Sequence, residues 1–267
     1  MSAISKGVLV ELGSLVLAAL LAVGVSAAPA AAQAASEGLL PDLRTVVPKH
    51  LGIMNEHQRE ILRFTNGIAN TGDGPWRLRP LYPSPGSVGT QDAIQELLDA
   101  DGNLVSETVV SQFEFHEEHH HWHVAAVARF EIHAGSLTGP IYGTAAVKTG
   151  LCLLDWYKLE DNARTIERVY WDCVFSYQGV SVGWVDQYNQ AIEGQQMDIT
   201  GAPAGKYYLV SLANPDGVFL EKDRANNVAW IAFMLSRDSN GNPKLRLTGE
   251  HSLCDSPGLC GEQRVNR

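Results

Sequence analysis

Basic residues are scarce in this chain of 267 residues: 20 Lys and Arg stand against 30 Asp and Glu, a formal charge of -10. So few cations exclude a sequence-independent nucleic-acid binder, whose affinity rests on neutralising phosphates. Cysteine is also sparse, four in all, too few for a disulfide-dense miniprotein. Beyond the first 25 residues no apolar run approaches the ~20 positions that a bilayer span needs. No segment after that point carries a sustained 3.6-residue apolar period, and there are no repeats or low-complexity tracts after residue 36. What is present, 45% apolar and 19% charged residues, is a globular composition and not a disordered one.

The amino terminus reads as a targeting segment. Lys6 supplies a short basic region, Leu12 to Val25 an apolar run of about fourteen residues, and Ala32-Gln33-Ala34 a small-residue cleavage site. Residues 1–34 are therefore expected to be a secretory signal peptide and residues 35–267 a single exported, secreted domain with no stable membrane insertion. Lys6 and Glu11 cancel, so the exported part keeps the whole charge of -10. Outside the cytoplasm the cysteines can pair. Of the three possible connectivities, Cys152–Cys173 with Cys254–Cys260 is the economical one, and no CxxC spacing suggests redox catalysis.

The remaining pattern is that of strands. Ile61 to Asn66 and Trp76 to Leu81 flank an Asn70-Thr71-Gly72-Asp73-Gly74 turn. Leu104 to Phe115 is rich in β-branched and aromatic residues, and Val124 to Ile132, Tyr207 to Ala213 and Val228 to Leu235 alternate as half-buried strands do. An all-β fold, a β-sandwich core with long irregular loops, is the expectation.

Five of the nine histidines crowd into Phe115-His116-Glu117-Glu118-His119-His120-His121-Trp122-His123. Every second side chain of a strand points to the same face, so His119, His121 and His123 would project together. Three neutral imidazoles suit zinc, copper, iron or nickel, and copper binds such a set most tightly among the divalent ions. Metal-bound imidazoles need their second nitrogen held, for which Glu114, Glu117 or Glu118 are the candidates. His120 should point away, His116 breaks the alternation, and isolated His50 and His57 read as surface residues.

This cluster and its surroundings resemble the lysyl oxidase family. The family's copper motif W-H-x-C-H-x-H-x-H has the spacing of His116, His119, His121 and His123, with Phe115 in place of its tryptophan and Glu118 in place of its cysteine. That loss leaves Cys173 free to pair with Cys152. Downstream, Ala146-Val147-Lys148-Thr149-Gly150-Leu151-Cys152-Leu153 is similar to the segment holding the family's cofactor lysine, and Asp186-Gln187-Tyr188 to the one holding its cofactor tyrosine. Pro203 to Leu209 and Asn214-Pro215 match the family's carboxyl-terminal hairpin, and the resemblance runs from about Pro41 to Leu235.

The resemblance implies copper on His119, His121 and His123 and a lysine tyrosylquinone formed from Lys148 and Tyr188. It implies oxidative deamination of a primary amine, free or on a lysine-containing protein, with dioxygen as the oxidant; the products are an aldehyde, ammonia and hydrogen peroxide. An acidic surface suits a cationic substrate. A general base must take the α-proton; where the family has a histidine this chain has Arg129 or Phe130, which leaves Glu131 and His133 as candidates. The resemblance also implies structural calcium on Asp42, the Leu43 carbonyl, Glu221, Asp223, Asn226 and Asn227, a set of hard oxygen ligands. Two other function classes fit the histidines alone: an exported zinc hydrolase with water in the fourth position, and a non-catalytic copper- or calcium-binding module.

Overall fold

The computed structural model describes residues 38–82, 89–142, 146–148, 150–159, 165, 167–174 and 177–252; the expected signal segment and the Cys254–Cys260 pair lie outside them. In chain order the strands are β1 (Leu43–Thr45), β2 (Lys49–Glu56), β3 (Arg59–Asn70), β4 (Trp76–Pro80), β5 (Thr90–Leu98), β6 (Leu104–His116), β7 (His121–Val124) and β8 (Ala128–Ala134). They continue with β9 (Ala146–Lys148), β10 (Tyr157–Lys158), β11 (Gln178–Val180), β12 (Trp184–Tyr188), β13 (Gln196–Asp198), β14 (Gly205–Ala213), β15 (Val228–Arg237) and β16 (Pro243–Ser252). No helix occurs among the described residues, and none there is long and apolar enough to cross a membrane. The fold is all-β.

Three antiparallel sheets form. The first runs β1-β3-β12-β10, with β2 and β13 pairing the other half of the long β3. The second runs β11-β4-β5-β6-β7, and the third β16-β15-β14-β8-β9. The first and third pack together as the expected sandwich. Phe64 of β3 meets Phe130 of β8 edge-on at 4.9 Å, and the Ser211 hydroxyl of β14 bonds Asn66 Oδ1 of β3 at 2.8 Å. The second sheet is an addition to the two-layer expectation, joined through Trp76 of β4 against Phe219 at 5.0 Å. Each of these enclosed rings contributes on the order of 2–3 kcal/mol by leaving water.

Strands form where alternation predicts them in β14 and β15, where the turn signal predicts β4 and where β-branched and aromatic residues predict β6. It fused two elements between Val124 and Ile132. The chain turns at Ala125–Val127, where Ala126 takes φ 61° and Ala125 N donates to Gln112 O at 2.9 Å, so β7 ends at Val124 and β8 begins at Ala128. Apolar Ala and Val in that turn continued the period and hid it.

A buried carboxylate ties the irregular region together. Asp155 is fully enclosed; its Oδ2 accepts from Val169 N (2.9 Å), Tyr170 N (3.1 Å) and the Ser181 hydroxyl (2.8 Å), and its Oδ1 from Ser181 N (2.7 Å). Truncation would leave three main-chain N–H groups without an acceptor, two of them, on Tyr170 and Ser181, buried. Asp155→Ala is expected to lower the unfolding free energy by about 3 kcal/mol in urea titration; a loss within experimental error would show that these amides find other partners.

Candidate metal centre

The histidine run forms the end of a hairpin. β6 and β7 pair with His116 opposite His121 and Glu114 opposite His123, and residues 117–120 make the turn. Alternation therefore places only His121 and His123. His119 belongs to the turn and not to a strand, a correction to the one-strand expectation. His120, at φ 54°, carries the chain through the left-handed region and folds His119 back over the other two. His120 itself is exposed.

The result is still a trio. One ring nitrogen from each of His119, His121 and His123 lies within 4.8 Å of the others. The His121 and His123 Nε2 atoms are 2.8 Å apart, and His121 Nδ1 lies 3.1 Å from the His119 carbonyl. That carbonyl, and none of the three expected glutamates, is the described partner of the second His121 nitrogen. It fixes the tautomer that leaves Nε2 as an electron-pair donor. Burial, followed by the nearby His119 and then His116, holds the His121 imidazole below its ordinary range, which keeps it neutral and able to ligate. His116 is not in the trio; its ring stacks on His119 at 4.4 Å and on His123 at 5.0 Å.

The other two sequence-predicted site residues approach from different sheets. Val124, which follows His123, bridges Leu151 through both main-chain bonds, 2.8 and 3.1 Å. Gly150 lies so close to His123 that a Cβ there would fall 2.7 Å from the His123 Cβ. Two residues along, Cys152 accepts the Tyr188 hydroxyl on its carbonyl at 2.6 Å. Burial pushes the Tyr188 phenol well above its ordinary range, Asp186 adds to this, and the bond to Cys152 opposes it. Cys152 is disulfide-bonded to Cys173, as expected, and Trp122 N donates to the Cys173 carbonyl at 3.1 Å. Lys148 ends β9 opposite Ala128; its side chain lies outside the described residues. Sequence reasoning did not single out Gly150, because a need for close approach is unreadable without the neighbour that approaches.

Comparison with known proteins decides what this assembly is related to. The lysyl oxidase family model matches residues 99–240, just over half of the chain. The chain belongs to the lysyl oxidase family. It is 31% identical over 117 residues to lysyl oxidase homolog 2 of Xenopus laevis, covering 43% of this chain and 14% of that protein. It is 26% identical over 177 residues to lysyl oxidase homolog 2A of Danio rerio, 65% of this chain and 19% of that protein. Against lysyl oxidase homolog 1 of Homo sapiens it is 43% identical over 56 residues, 21% and 10%. The chain thus spans less than a fifth of the length of these relatives.

Within this lysyl oxidase domain the two base candidates engage each other. His133 Nε2 lies 2.9 Å from Glu131 Oε2, Arg129 Nε lies 2.9 Å from Glu131 Oε1, and His133 Nδ1 lies 3.0 Å from the Gly139 carbonyl. All three side chains alternate with the buried Phe130 and Ile132 along β8, so they occupy its other face.

Of the expected calcium-ligand residues, Asp42, Leu43, Glu221, Asn226 and Asn227 are brought together, Leu43 and Glu221 across 178 residues of sequence, whereas no described contact joins Asp223 to them. Leu43 N donates to Glu221 Oε2 at 3.1 Å, Asn227 Nδ2 to Glu221 Oε1 at 2.8 Å, and Asn226 Nδ2 to Asp42 Oδ1 at 3.0 Å. Asn226 Oδ1 and Asn227 Oδ1 are buried and have no hydrogen-bond partner among the described residues. Burial raises the Glu221 carboxyl above its ordinary range, against hydrogen bonds from Asn214, Asn227 and Leu43. Asp223 is exposed and caps Ala225 N at 2.8 Å.

The Gly150 contact generates a prediction. Gly150→Ala should displace His123 and weaken divalent-metal binding at the trio about tenfold or more in a competitive titration. Unchanged affinity in the folded variant would mean that the 150–151 segment does not set the His123 position.

Proposed function

We propose that this chain is an exported, copper-dependent oxidase of primary amines. Its copper would be held by His119, His121 and His123, and its quinone formed from Lys148 and Tyr188. One observation carries the reading: the imidazole trio and the Tyr188 hydroxyl are joined by a single main-chain path, His123-Val124 to Leu151-Cys152. The donor set fits the metal. Three imidazole nitrogens within 4.8 Å, one ring with its second nitrogen held by a carbonyl, are the ligands copper prefers.

When bound, the metal supplies the redox chemistry with dioxygen, and the quinone supplies an electrophilic carbonyl and a sink for two electrons. Formation of the quinone replaces two ring C–H bonds of Tyr188 by C–O and C–N(Lys148) bonds; two dioxygen molecules leave as one water and one hydrogen peroxide. Turnover balances as amine, dioxygen and water giving aldehyde, ammonia and hydrogen peroxide. The chain's own contribution is position and environment. The Cys152 carbonyl orients the phenol, and the half-buried ring packs against the main core. Partly exposed His119, His121 and His123 leave the ion open to dioxygen. The net charge of -10 attracts ammonium substrates, whether small amines or lysine side chains on proteins. Glu131 and His133 remain the candidates for taking the α-proton. Residues 1–34 would direct export and be removed.

Replacing Tyr188 by Phe tests this directly. Tyr188→Phe should retain copper but release no peroxide from any amine and give no phenylhydrazine-reactive chromophore after copper loading in air. Peroxide release by that variant would refute the quinone, and a colourless, hydrolytic wild type would favour a zinc hydrolase.

We also propose a structural calcium on Asp42, the Leu43 carbonyl, Glu221, Asp223, Asn226 and Asn227. Two buried, unpartnered amide oxygens beside two carboxylates support it, since such groups are costly unless a cation or donor meets them. At free calcium about 100-fold above the dissociation constant, chelation by EGTA should lower Tm by roughly 5–10 °C. Calcium should restore it and magnesium should not. A Tm indifferent to EGTA would remove the site.

A further inference from the structure

Gln178 lies in β11 and is only 3% exposed. Its amide joins two segments of the candidate centre. Nε2 donates to the Trp122 carbonyl at 2.6 Å, and Oε1 accepts from Leu153 N at 3.1 Å. Trp122 stands between His121 and His123 in β7. Leu153 follows Cys152, whose carbonyl holds the Tyr188 hydroxyl. The main chain next to Gln178 repeats the connection, with Gly179 N donating to the Leu153 carbonyl at 3.2 Å. Only a side chain with both a donor and an acceptor can make this pair of bonds: an ionised glutamate loses the Trp122 partner, and leucine loses both.

We propose that Gln178 is a positioning residue for formation of the Lys148–Tyr188 cofactor, holding the histidine strand and the phenol's acceptor segment in one register. This rests on the amine-oxidase reading above. The reason is geometric. The Trp122 carbonyl lies one peptide before His123, so releasing it frees the His123 main chain to rotate. Releasing Leu153 N loosens the segment whose previous residue orients Tyr188. A displacement of about 1 Å between a metal and a ring that must react beside it can cost roughly a hundredfold in rate. The Cys152–Cys173 disulfide acts in parallel, since Trp122 N is bonded to the Cys173 carbonyl. The disulfide alone cannot replace Gln178, because it leaves the Trp122 carbonyl and Leu153 N without their partners.

The test uses the full chain with Gln178→Leu and Gln178→Glu, and Leu235→Ala as a control of comparable destabilisation in the core of the third sheet. Two quantities are read: nitration of Tyr188 in copper-free protein by peptide mapping, and phenylhydrazine-reactive quinone per bound copper after loading in air. Both Gln178 variants should expose Tyr188 to nitration and lower the quinone formed per bound copper by about tenfold or more. The Leu235 control should lose Tm without either change. If Gln178→Leu does not fold, Gln178→Glu decides by the same criteria. Wild-type nitration, or wild-type quinone per copper, in a folded Gln178 variant overturns the proposal. A wild type that forms no quinone refutes the oxidase reading instead, and the nitration comparison then decides the role of Gln178.

Discussion

The antiparallel bridge between Val124 and Leu151 is the contact on which the arrangement of the candidate centre depends. Its two main-chain bonds join β7, the outermost strand of the second sheet, to the segment that continues β9 at the edge of the third. Tyr188, from β12 of the first sheet, reaches the same segment through the Cys152 carbonyl. Three sheets therefore meet at one short stretch, Gly150 to Leu153. The second sheet arrives by main-chain hydrogen bonds, which are directional and insensitive to side-chain rotamer changes, the third by continuity of the chain from β9, and the first by the Tyr188 side-chain hydroxyl. A site whose parts come from strands far apart in sequence needs such a junction, since no strand by itself carries both the imidazoles and the phenol.

This junction also explains which parts of the site were legible in the sequence. The period-two rule is local, and it holds for His121 and His123 because they share β7. It fails for His119, since a two-residue repeat continues unchanged through a turn that happens to contain polar histidines. The Val124–Ile132 stretch failed for the converse reason, with small apolar residues filling a turn. Strands β2, β5 and β16 left no clear signal. β2 is mostly half-exposed and polar, β5 begins in polar residues, and β16 mixes charged residues with two leucines on a sheet edge. The all-β class was readable because many weak alternations add, whereas the additional second sheet was not, because sheet membership is set by pairing partners and not by composition.

The two candidate ion sites contrast in the same way. The imidazole trio is nearly contiguous and announces itself. The oxygen site joins Asp42 and Leu43 to residues 221–227; the loop's own oxygen ligands stand out in the sequence, but only the resemblance to the lysyl oxidase family tied Asp42 and Leu43 to them. Its signature in the structure is electrostatic. Burial raises the cost of ionising Glu221, and the nearby Asp42 adds to it. Asn227 donates to one carboxylate and Asn226 to the other, so each amide turns its oxygen away from them. Those two oxygens are the unpartnered ones. Rotating either amide by half a turn would satisfy an ion and release a carboxylate oxygen to it as well. The amide orientations described are therefore those that best compensate two buried carboxylates with protein donors alone.

The enclosure of Tyr188 separates two ways of using a histidine trio. A hydrolytic ion needs an open fourth position and a base to activate water, and a buried phenol bonded to a main-chain carbonyl serves neither. An oxidative centre needs an aromatic ring held still, shielded from solvent and one short path from the ion. Burial also raises the phenol's ionisation far above neutral pH. Such a ring does not ionise spontaneously, and losing its proton requires a cation at hand to stabilise the phenolate. On the amine-oxidase reading, an ion held by His119, His121 and His123 would supply that cation, and the Cys152 carbonyl would keep the ring oriented toward it.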